Sequence, residues 1–512
     1  MFDEADRAHL AALGISEEEI ARQLALFAAP PPAARLDRPC TVGDGIAVLS
    51  EPDQQAALQA GAQAAAAGRL LKLVPASGAA TRMFQALIAV RNAREPLTRA
   101  GLEQRAAAGD GDARELLTFA DNLPRFAFAE ALAAKLGTRR GLADLLAALL
   151  DADGLAYASS PKGLLLFHRY PDGSRTAFEE HVVEAARYGR AADGTARLHL
   201  TIAPEHEDAF RAELARVRGR CEARHEVRLE VAFSHQKRAT DTIAVDLDNR
   251  PFRGADGRVL FRPGGHGALI ENLNDLQGDI IFIKNIDNIG PDHTRDDVVG
   301  CARLLSGHLA RVQQQVFAHL AAVADATPDP GRIDAAQRFA SDTLRADVSS
   351  PRELRALLDR PLRVCGMVRN TGEPGGGPFW VRGSDGSCTQ QIVESAQVDQ
   401  SREDQRAIFA AATHFNPVVM ACGVRDWRGR PFDLRAFIDP TAVFIARKSS
   451  DGRPLKALER PGLWNGAMGH WNTIFVEVSD ATFTPVKTVN DLLRPAHQPL
   501  PGAQAARARL GS

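Results

Sequence analysis

The first stretch of this chain whose residue types could do chemistry is a run of small residues followed by an arginine. The apolar residues 71–74 predict a short strand, and an amphipathic helix is predicted to begin near Thr81. The small residues between them are Ala76, Ser77, Gly78, Ala79 and Ala80. Their N–H groups can face an anion at the start of the helix, and Arg82 adds a forked cation suited to phosphate. The pattern predicts a phosphate loop, although it also recurs in α/β proteins that bind nothing there.

Two charged residues further along could join such a site. The apolar run 278–289 predicts a buried strand that ends in Asp287, next to Asn288, at the carboxyl edge of a sheet. A carboxylate there can hold Mg²⁺ on substrate phosphates, and a structural Asx turn is the alternative. Lys487 is predicted at a strand end, as a mobile cation or as an ordinary surface lysine.

A glycine-rich loop is the second informative stretch. Gly264, Gly265 and Gly267 surround His266, and a helix is predicted to restart at Ala268. The loop is either a ligand loop or a glycine-rich surface turn with an idle histidine. Further on, Glu394 is predicted on a half-buried strand over 391–397, where it could bind a ligand or pair with an arginine.

Alternating helix and strand patterns give the fold class, which is α/β with a largely parallel sheet. Predicted strands begin at Lys162, Arg197 and Val227, with helices between them. The predicted organisation is a helical segment (1–66), an α/β core (67–300) with a helical insertion at about 93–152, a helical connection (301–360), a second α/β part (361–498) and a disordered tail (499–512).

Composition narrows the function classes. The chain has 512 residues, is 45% hydrophobic and carries a net charge of -2, which argues against a dedicated nucleic-acid binder. No apolar run reaches membrane-spanning length and the acidic start is not a signal peptide, so a cytoplasmic protein without a membrane anchor is expected. Six scattered cysteines indicate reduced, mostly buried thiols, and a lone nucleophilic cysteine stays open.

Four motifs, in order, resemble the UDP-sugar pyrophosphorylases, which are nucleotidyltransferases of the Rossmann-like GT-A fold. Ala80-Thr81-Arg82-Met83 resembles their Gly-Thr-Arg-Met loop, and Pro263-Gly264-Gly265-His266-Gly267 resembles their Pro-Gly-Asn-Gly loop. The segment 391–397 resembles their Val-Val-Glu-Tyr-Ser-Glu region, and 485–493 resembles Pro-Val-Lys-Thr-x-x-Asp-Leu-Leu.

The resemblance implies the joining of a nucleoside triphosphate, UTP favoured, to a sugar 1-phosphate or similar phosphorylated acceptor, with release of pyrophosphate and use of Mg²⁺. It implies that Arg82, Lys162 and Lys487 are catalytic and that Asp287 binds the metal. The loops 76–81 and 264–267 would bind the nucleotide. The acceptor would contact Asn288, Glu394, Asn416 and Asp491.

A second resemblance implies no particular reaction. The stretches Pro75-Ala76-Ser77-Gly78-Ala79-Ala80-Thr81-Arg82-Met83 and Phe415-Asn416-Pro417-Val418 resemble a bacterial family described as a domain of unknown function, DUF4301. Two other functions stay open: an enzyme that uses a nucleotide sugar on the same scaffold, and a catalytically inactive nucleotide-binding protein. The oligomeric state is not predicted.

Overall fold

The computed structural model describes residues 2–93, 96–324, 329–372, 375–383 and 385–500. The chain forms two compact units, each built from separated segments. The first unit comprises residues 1–71, 234–283 and 302–478, and the second comprises 72–233, 284–301 and 479–512. Apart from Pro499 and Leu500, the tail predicted over 499–512 lies outside the described residues.

The elements are named in chain order within the described residues. The helices are α1 (Glu4–Leu13), α2 (Glu17–Ala28), α3 (Glu51–Ala66), α4 (Gln85–Asn92), α5 (Arg99–Ala107), α6 (Gly111–Asp121), α7 (Ala129–Leu136), α8 (Leu142–Leu150), α9 (Ala177–Tyr188), α10 (Glu207–His225), α11 (Ile270–Asp275), α12 (Arg295–Val323), α13 (Pro330–Asp342), α14 (Pro351–Leu358) and α15 (Glu403–Ala410). The strands are β1 (Leu36–Pro39), β2 (Thr41–Val42), β3 (Gly45–Ala47), β4 (Leu70–Pro75), β5 (Leu166–Tyr170), β6 (Gly173–Thr176), β7 (Thr195–Thr201), β8 (Arg228–Ser234), β9 (Thr242–Val245), β10 (Phe261–Arg262), β11 (Ile280–Lys284), β12 (Leu362–Arg369), β13 (Gly377–Arg382), β14 (Cys388–Val393), β15 (His414–Phe415), β16 (Val419–Gly423), β17 (Phe444–Ser450), β18 (Arg453–Glu459) and β19 (Asn472–Glu477).

The first unit contains a mixed sheet in the order β2-β3-β19-β12-β16-β11. The pairs β2 with β3, β3 with β19 and β19 with β12 are parallel, whereas β12 with β16 is antiparallel. Two smaller sheets, β1-β13-β14 and β10-β9-β18-β17, complete this unit. Strand β12 is buried along nearly its whole length, as expected for a sheet covered on both faces.

The second unit is organised around β4, β7 and β8, with β4 parallel to β7. Helices α5 to α8, which fall in the predicted insertion, pack with α4 on the same apolar core as these strands. This core also takes Ile286, Ile289, Val486, Val489 and Leu492 from distant segments. The residues after β4 and after β11 are therefore held by one core.

The predicted α/β class with a largely parallel sheet and helical insertions is confirmed. Three local predictions are wrong. Lys162 begins a 3-10 turn, Lys162–Leu164, and strand β5 starts only at Leu166, because Pro161 and Gly163 favour a turn. The strand predicted over 391–397 ends at Val393, since Glu394 and Gln397 form a capping box.

Near Asn416, strand β15 covers only His414–Phe415, and Val418 follows with φ of 55°. The third correction concerns Lys487. The segment before Lys487 makes an isolated bridge, between Asn288 and Pro485, where a strand end was predicted. Proline has no N–H to extend a ladder, which limits the pairing to a single bridge.

The described residues contain no helix that is both long and apolar enough to cross a membrane. The six cysteines are free thiols, and all but Cys388 are buried. Burial raises the pKa of the Cys365 thiol to about 11, which opposes a nucleophilic role for it.

Candidate functional site

Two lysines and one aspartate from distant parts of the chain meet in the second unit. Oδ2 of Asp287 lies 3.3 Å from Nζ of Lys162 and 3.1 Å from Nζ of Lys487. The side chains of Lys162 and Asp287 are 12% and 14% exposed, while that of Lys487 is 44% exposed. Two ammonium groups therefore share one carboxylate near the protein surface. A bound anion could attract both of them.

Backbone hydrogen bonds fix these three residues. Nζ of Lys162 also donates to the carbonyl of Val486 at 3.0 Å, and the N–H of Val486 donates to the carbonyl of Asp287 at 2.9 Å. The buried amide of Asn288 accepts from the N–H of Thr484 at 3.0 Å. Asn288, predicted to contact an acceptor, thus anchors the segment that carries Lys487. Sequence reasoning missed Val486 because its contribution is a backbone carbonyl.

The small-residue loop lies beside Lys162. The N–H of Ala80 donates to the carbonyl of Ser160 at 3.0 Å, and that of Lys162 donates to Gly78 at 3.4 Å. The hydroxyl of Thr81 donates to the carbonyl of Ala158 at 3.0 Å. Ala76 is buried and its N–H donates to Thr201, whereas Arg82 is exposed.

The tip of this loop leaves backbone donors available. Ser77, Gly78 and Ala79 are exposed, and within the described residues their N–H groups make no backbone hydrogen bond. A Cβ added to Gly78 would have no heavy atom within 4 Å. Consecutive free N–H groups with open space in front of them are suited to an oxyanion such as phosphate.

The lysine cluster is electrostatically unusual. Burial lowers the pKa of Lys162, the charge of Lys487 lowers it further, and the charge of Asp287 opposes both. A buried ammonium of this kind gains more from an added anion than an exposed one does, because water screens it less.

Asp491 has a local role in this structure. One oxygen of its buried carboxylate accepts hydrogen bonds from the N–H groups of Lys487 and Thr488, each at 2.7 Å, and the other lies 2.8 Å from Arg494. Its oxygens are therefore used to shape the turn that follows Lys487, and the predicted acceptor contact would have to compete with these bonds.

The remaining predicted residues lie in the first unit. The rings of His266 and Trp464 stack with their centroids 4.1 Å apart, and Nε1 of Trp464 donates to Glu394 at 3.2 Å. The N–H of Leu463 donates to Nδ1 of His266 at 3.0 Å. Burial lowers the pKa of His266. Trp464 was not predicted as a site residue, and only its spacing to Asn465 could have suggested it.

The glycines around His266 have packing reasons of their own. A Cβ on Gly264 would lie 2.6 Å from the carbonyl oxygen of Thr240, and one on Gly267 would lie 2.1 Å from that of Pro461. Gly265 has φ of 75°, a conformation that favours glycine. These contacts explain the glycines without a ligand.

Asn416 is buried in the first unit and shapes a strained turn. Its Oδ1 accepts from the N–H of Val418 at 2.9 Å, and Val418 is a β-branched residue with positive φ. Within the described residues, Nδ2 of Asn416 has no hydrogen-bond partner. The structure thus groups the predicted residues by unit: 76–82, 162, 287, 288, 487 and 491 in the second, and 264–267, 394 and 416 in the first.

Comparison with known proteins identifies the family. Residues 3–498 match the family described as "Domain of unknown function (DUF4301)". The chain belongs to the DUF4301 family. Among curated proteins, none matches the DUF4301 chain significantly in sequence.

Solved structures similar to this DUF4301 protein include two pyrophosphorylases. UDP-N-acetylglucosamine pyrophosphorylase from Trypanosoma brucei is 15% identical with a TM-score of 0.46, and the match covers 96% of this chain and 79% of that one. A variant of UDP-glucose pyrophosphorylase from Leishmania major is 13% identical with a TM-score of 0.45, with the same coverages of 96% and 79%. At such values the likeness assigns neither an activity nor a substrate to the DUF4301 chain.

Proposed function

We propose that this protein is a nucleotidyltransferase that joins a nucleoside triphosphate to a phosphorylated small-molecule acceptor and releases pyrophosphate. The observation that carries the proposal is the convergence of Lys162 and Lys487 on Asp287, beside a loop with free N–H groups at residues 77–79. Two cations and several backbone donors next to one carboxylate suit a charged phosphate chain better than a neutral substrate.

The roles follow from charge. The N–H groups of 77–79 and the guanidinium of Arg82 would hold the β and γ phosphates, and Lys162 and Lys487 would stabilise charge that develops on the α phosphate. A phosphate acceptor is already ionised, so its oxygen can attack without a general base. Catalysis would then rest on positioning and charge neutralisation, with no covalent intermediate.

Asp287 would also hold Mg²⁺, which would supply positive charge to neutralise the substrate phosphates. The donor set fits a metal that binds with its substrate: Asp287 supplies a hard oxygen, and the described residues contain no cluster of three His, Cys, Asp or Glu side chains able to hold a metal alone. The two lysines compete for the same carboxylate, so Mg²⁺ should bind weakly until a triphosphate recruits them.

The identities of the nucleotide and of the acceptor are proposed from the motif resemblance. UTP as the nucleotide and a sugar 1-phosphate as the acceptor follow from the likeness of the four motifs to UDP-sugar pyrophosphorylases. In this proposal the loop 264–267 and His266 bind the nucleotide, and Glu394 and Asn416 bind the acceptor. Their grouping in one unit is compatible with a shared role.

The test is a pyrophosphate-release assay with each nucleoside triphosphate, Mg²⁺ and a panel of phosphorylated acceptors. Lys162→Ala, Asp287→Ala and Lys487→Ala should each lower kcat by about 100-fold or more, on the scale of a lost charge-stabilising group. Lys135→Ala is the matched control, since Lys135 is an exposed lysine that contacts only the Asp153 carbonyl.

Near-normal turnover in all three variants would refute the proposal, provided that thermal denaturation shows each to be folded. Tight triphosphate binding without pyrophosphate release across the panel would instead favour an inactive nucleotide-binding protein. Turnover of a nucleotide sugar without pyrophosphate release would favour a transferase that consumes one.

A further inference from the structure

A cavity of about 550 Å³ lies in the second unit, and its lining residues are separate from those of the candidate phosphate site. Four prolines line it, among them Pro124 and Pro171, together with the exposed Leu500. A cavity of this volume is within the range of small-molecule sites, and the apolar walls suit the body of an organic ligand.

Two arginines give the cavity a positive character. Nη2 of Arg169 donates to the carbonyls of Pro124 and Phe126, and Arg125 donates to the carbonyl of Leu493 at 2.9 Å. Within the described chain, neither guanidinium forms an ion pair with a carboxylate. These carbonyl bonds orient the guanidiniums and leave their positive charges without a balancing anion.

The acid in the cavity wall does not supply that balance. The carboxylate of Asp292 forms two hydrogen bonds with Arg175, at 2.8 and 3.1 Å, and also lies 3.6 Å from Arg224. Its charge is therefore compensated by arginines outside the wall. The net charge at the cavity is positive.

His497 adds a polar atom to this wall. Its side chain is buried, and the Thr484 backbone lies within hydrogen-bonding reach of the ring, so neighbouring residues hold His497 in place. Nδ1 lies 2.9 Å from Nε2 of His168, whose Nδ1 lies 3.0 Å from Glu180.

We infer that this cavity binds an organic anion: a compact apolar body that carries one carboxylate, phosphate or sulfonate group. The acidic group would pair with Arg125 and Arg169, while the body packs on the prolines. The inference does not depend on the proposed catalytic function, because none of the residues that carry it belongs to the Lys162, Asp287 and Lys487 cluster.

The experiment is a fluorescence titration of the full-length protein with 1-anilinonaphthalene-8-sulfonate. N-phenyl-1-naphthylamine, the same apolar body without the sulfonate, serves as the uncharged probe. We expect saturable binding of one sulfonate molecule per chain, and affinity for the uncharged probe lower by about tenfold, the equivalent of one lost charge-assisted hydrogen bond.

Variants assign the site. Arg125→Gln should lower sulfonate affinity about tenfold, whereas Arg125→Lys, which keeps the charge, should retain most of it. Arg114→Gln is the matched control, an exposed arginine that donates only to the Ala106 carbonyl. Lys487→Ala should leave the affinity unchanged, which separates this cavity from the phosphate site.

Arg169→Gln should also weaken sulfonate binding, and if that variant does not fold, Arg125→Gln decides the question alone. The inference is overturned if the two probes bind equally, if Arg125→Gln behaves like Arg114→Gln, or if Lys487→Ala abolishes binding. Absence of saturable sulfonate binding would overturn it as well.

Discussion

At the scale of single residues, the pKa of Lys162 is the most informative property. Its ammonium is buried, but it does not form an exclusive ion pair with Asp287. The Asp287 carboxylate also contacts the more exposed Lys487. Burial lowers the pKa of Lys162 from its usual 10.5, so its charge disappears at a lower pH than that of a surface lysine.

This shift predicts how triphosphate binding depends on pH. As pH rises through the lowered pKa, Lys162 loses its charge, and affinity for a nucleoside triphosphate should fall before pH 10.5 is reached. Lys162→Arg keeps its charge at these pH values, so its affinity should decline less. Isothermal titration calorimetry at several pH values measures both, and equal declines would contradict the assignment of Lys162 to the phosphate site.

The same shift has a consequence for stability with a definite sign. Between the lowered pKa and 10.5 the unfolded chain binds the proton that folded Lys162 has released, so this residue makes the free energy of unfolding rise with pH in that window. Loss of binding in that window would therefore not reflect unfolding caused by Lys162.

Gly78 offers a second prediction at this scale. Gly78→Ala should change the free energy of unfolding by no more than about 0.5 kcal/mol, because the new Cβ meets nothing within 4 Å. Triphosphate affinity should nevertheless fall, since the methyl group occupies space in front of the free N–H groups. Thermal denaturation and a binding titration separate the two effects.

Gly267→Ala is the contrasting variant. Its Cβ would lie 2.1 Å from the Pro461 carbonyl oxygen, so a stability loss of about 1–3 kcal/mol is expected. A Gly78→Ala protein that binds triphosphate as tightly as the wild type would show that no ligand approaches the loop at this point.

At the scale of elements, helix α9 holds together the strands that lead to the candidate site. Glu184 lies 2.8 Å from Lys72 on β4, 2.7 Å from Lys284 on β11 and 3.2 Å from Arg295 on α12, and all four side chains are buried. Strand β4 runs into the small-residue loop, and β11 runs toward Asp287. Glu184 therefore fixes the two strands that lead to the small-residue loop and to Asp287.

Glu184→Gln should lower the free energy of unfolding by about 3–5 kcal/mol, because three buried cations would lose the carboxylate that compensates them. Glu103→Gln, which removes one member of an exposed pair with Arg99, should cost no more than about 0.5 kcal/mol. Urea denaturation compares the two variants. Similar small losses would mean that buried water or other groups compensate the cations.

Several elements could be predicted from sequence and several site details could not. Capping residues can be recognised locally at α2, where the Ser16 hydroxyl accepts from the N–H of Glu19. The pairing of Lys162 and Lys487 with Asp287 was not predictable, because it depends on contacts between residues far apart in sequence.

At the scale of the whole molecule, the second unit depends on three separated segments. Val486, Val489 and Leu492 come from the last segment, and all three are buried in the core of this unit. A unit of this kind folds only when its last segment is present.

A chain that ends at residue 478 should therefore lose the fold of the second unit. It lacks three buried apolar side chains, each contributing about 1.5–3 kcal/mol, which together approach the stability of a typical domain. Limited proteolysis should then cleave within 72–233. Full-length Lys487→Ala is the control for loss of the lysine alone, and protease resistance of the truncated chain would contradict this account.

The sequence by itself determined the α/β class, because periodicity and caps are local properties, and its side-chain chemistry named the residues proposed to hold phosphate. Only the tertiary structure decided that Lys162 and Lys487 contact one oxygen of Asp287, that the glycines at 264 and 267 are required by packing, and that Asn288 anchors the segment before Lys487. Those outcomes depend on which distant segments fold against one another, and burial and hydrogen bonding of that kind leave no signal in neighbouring residues.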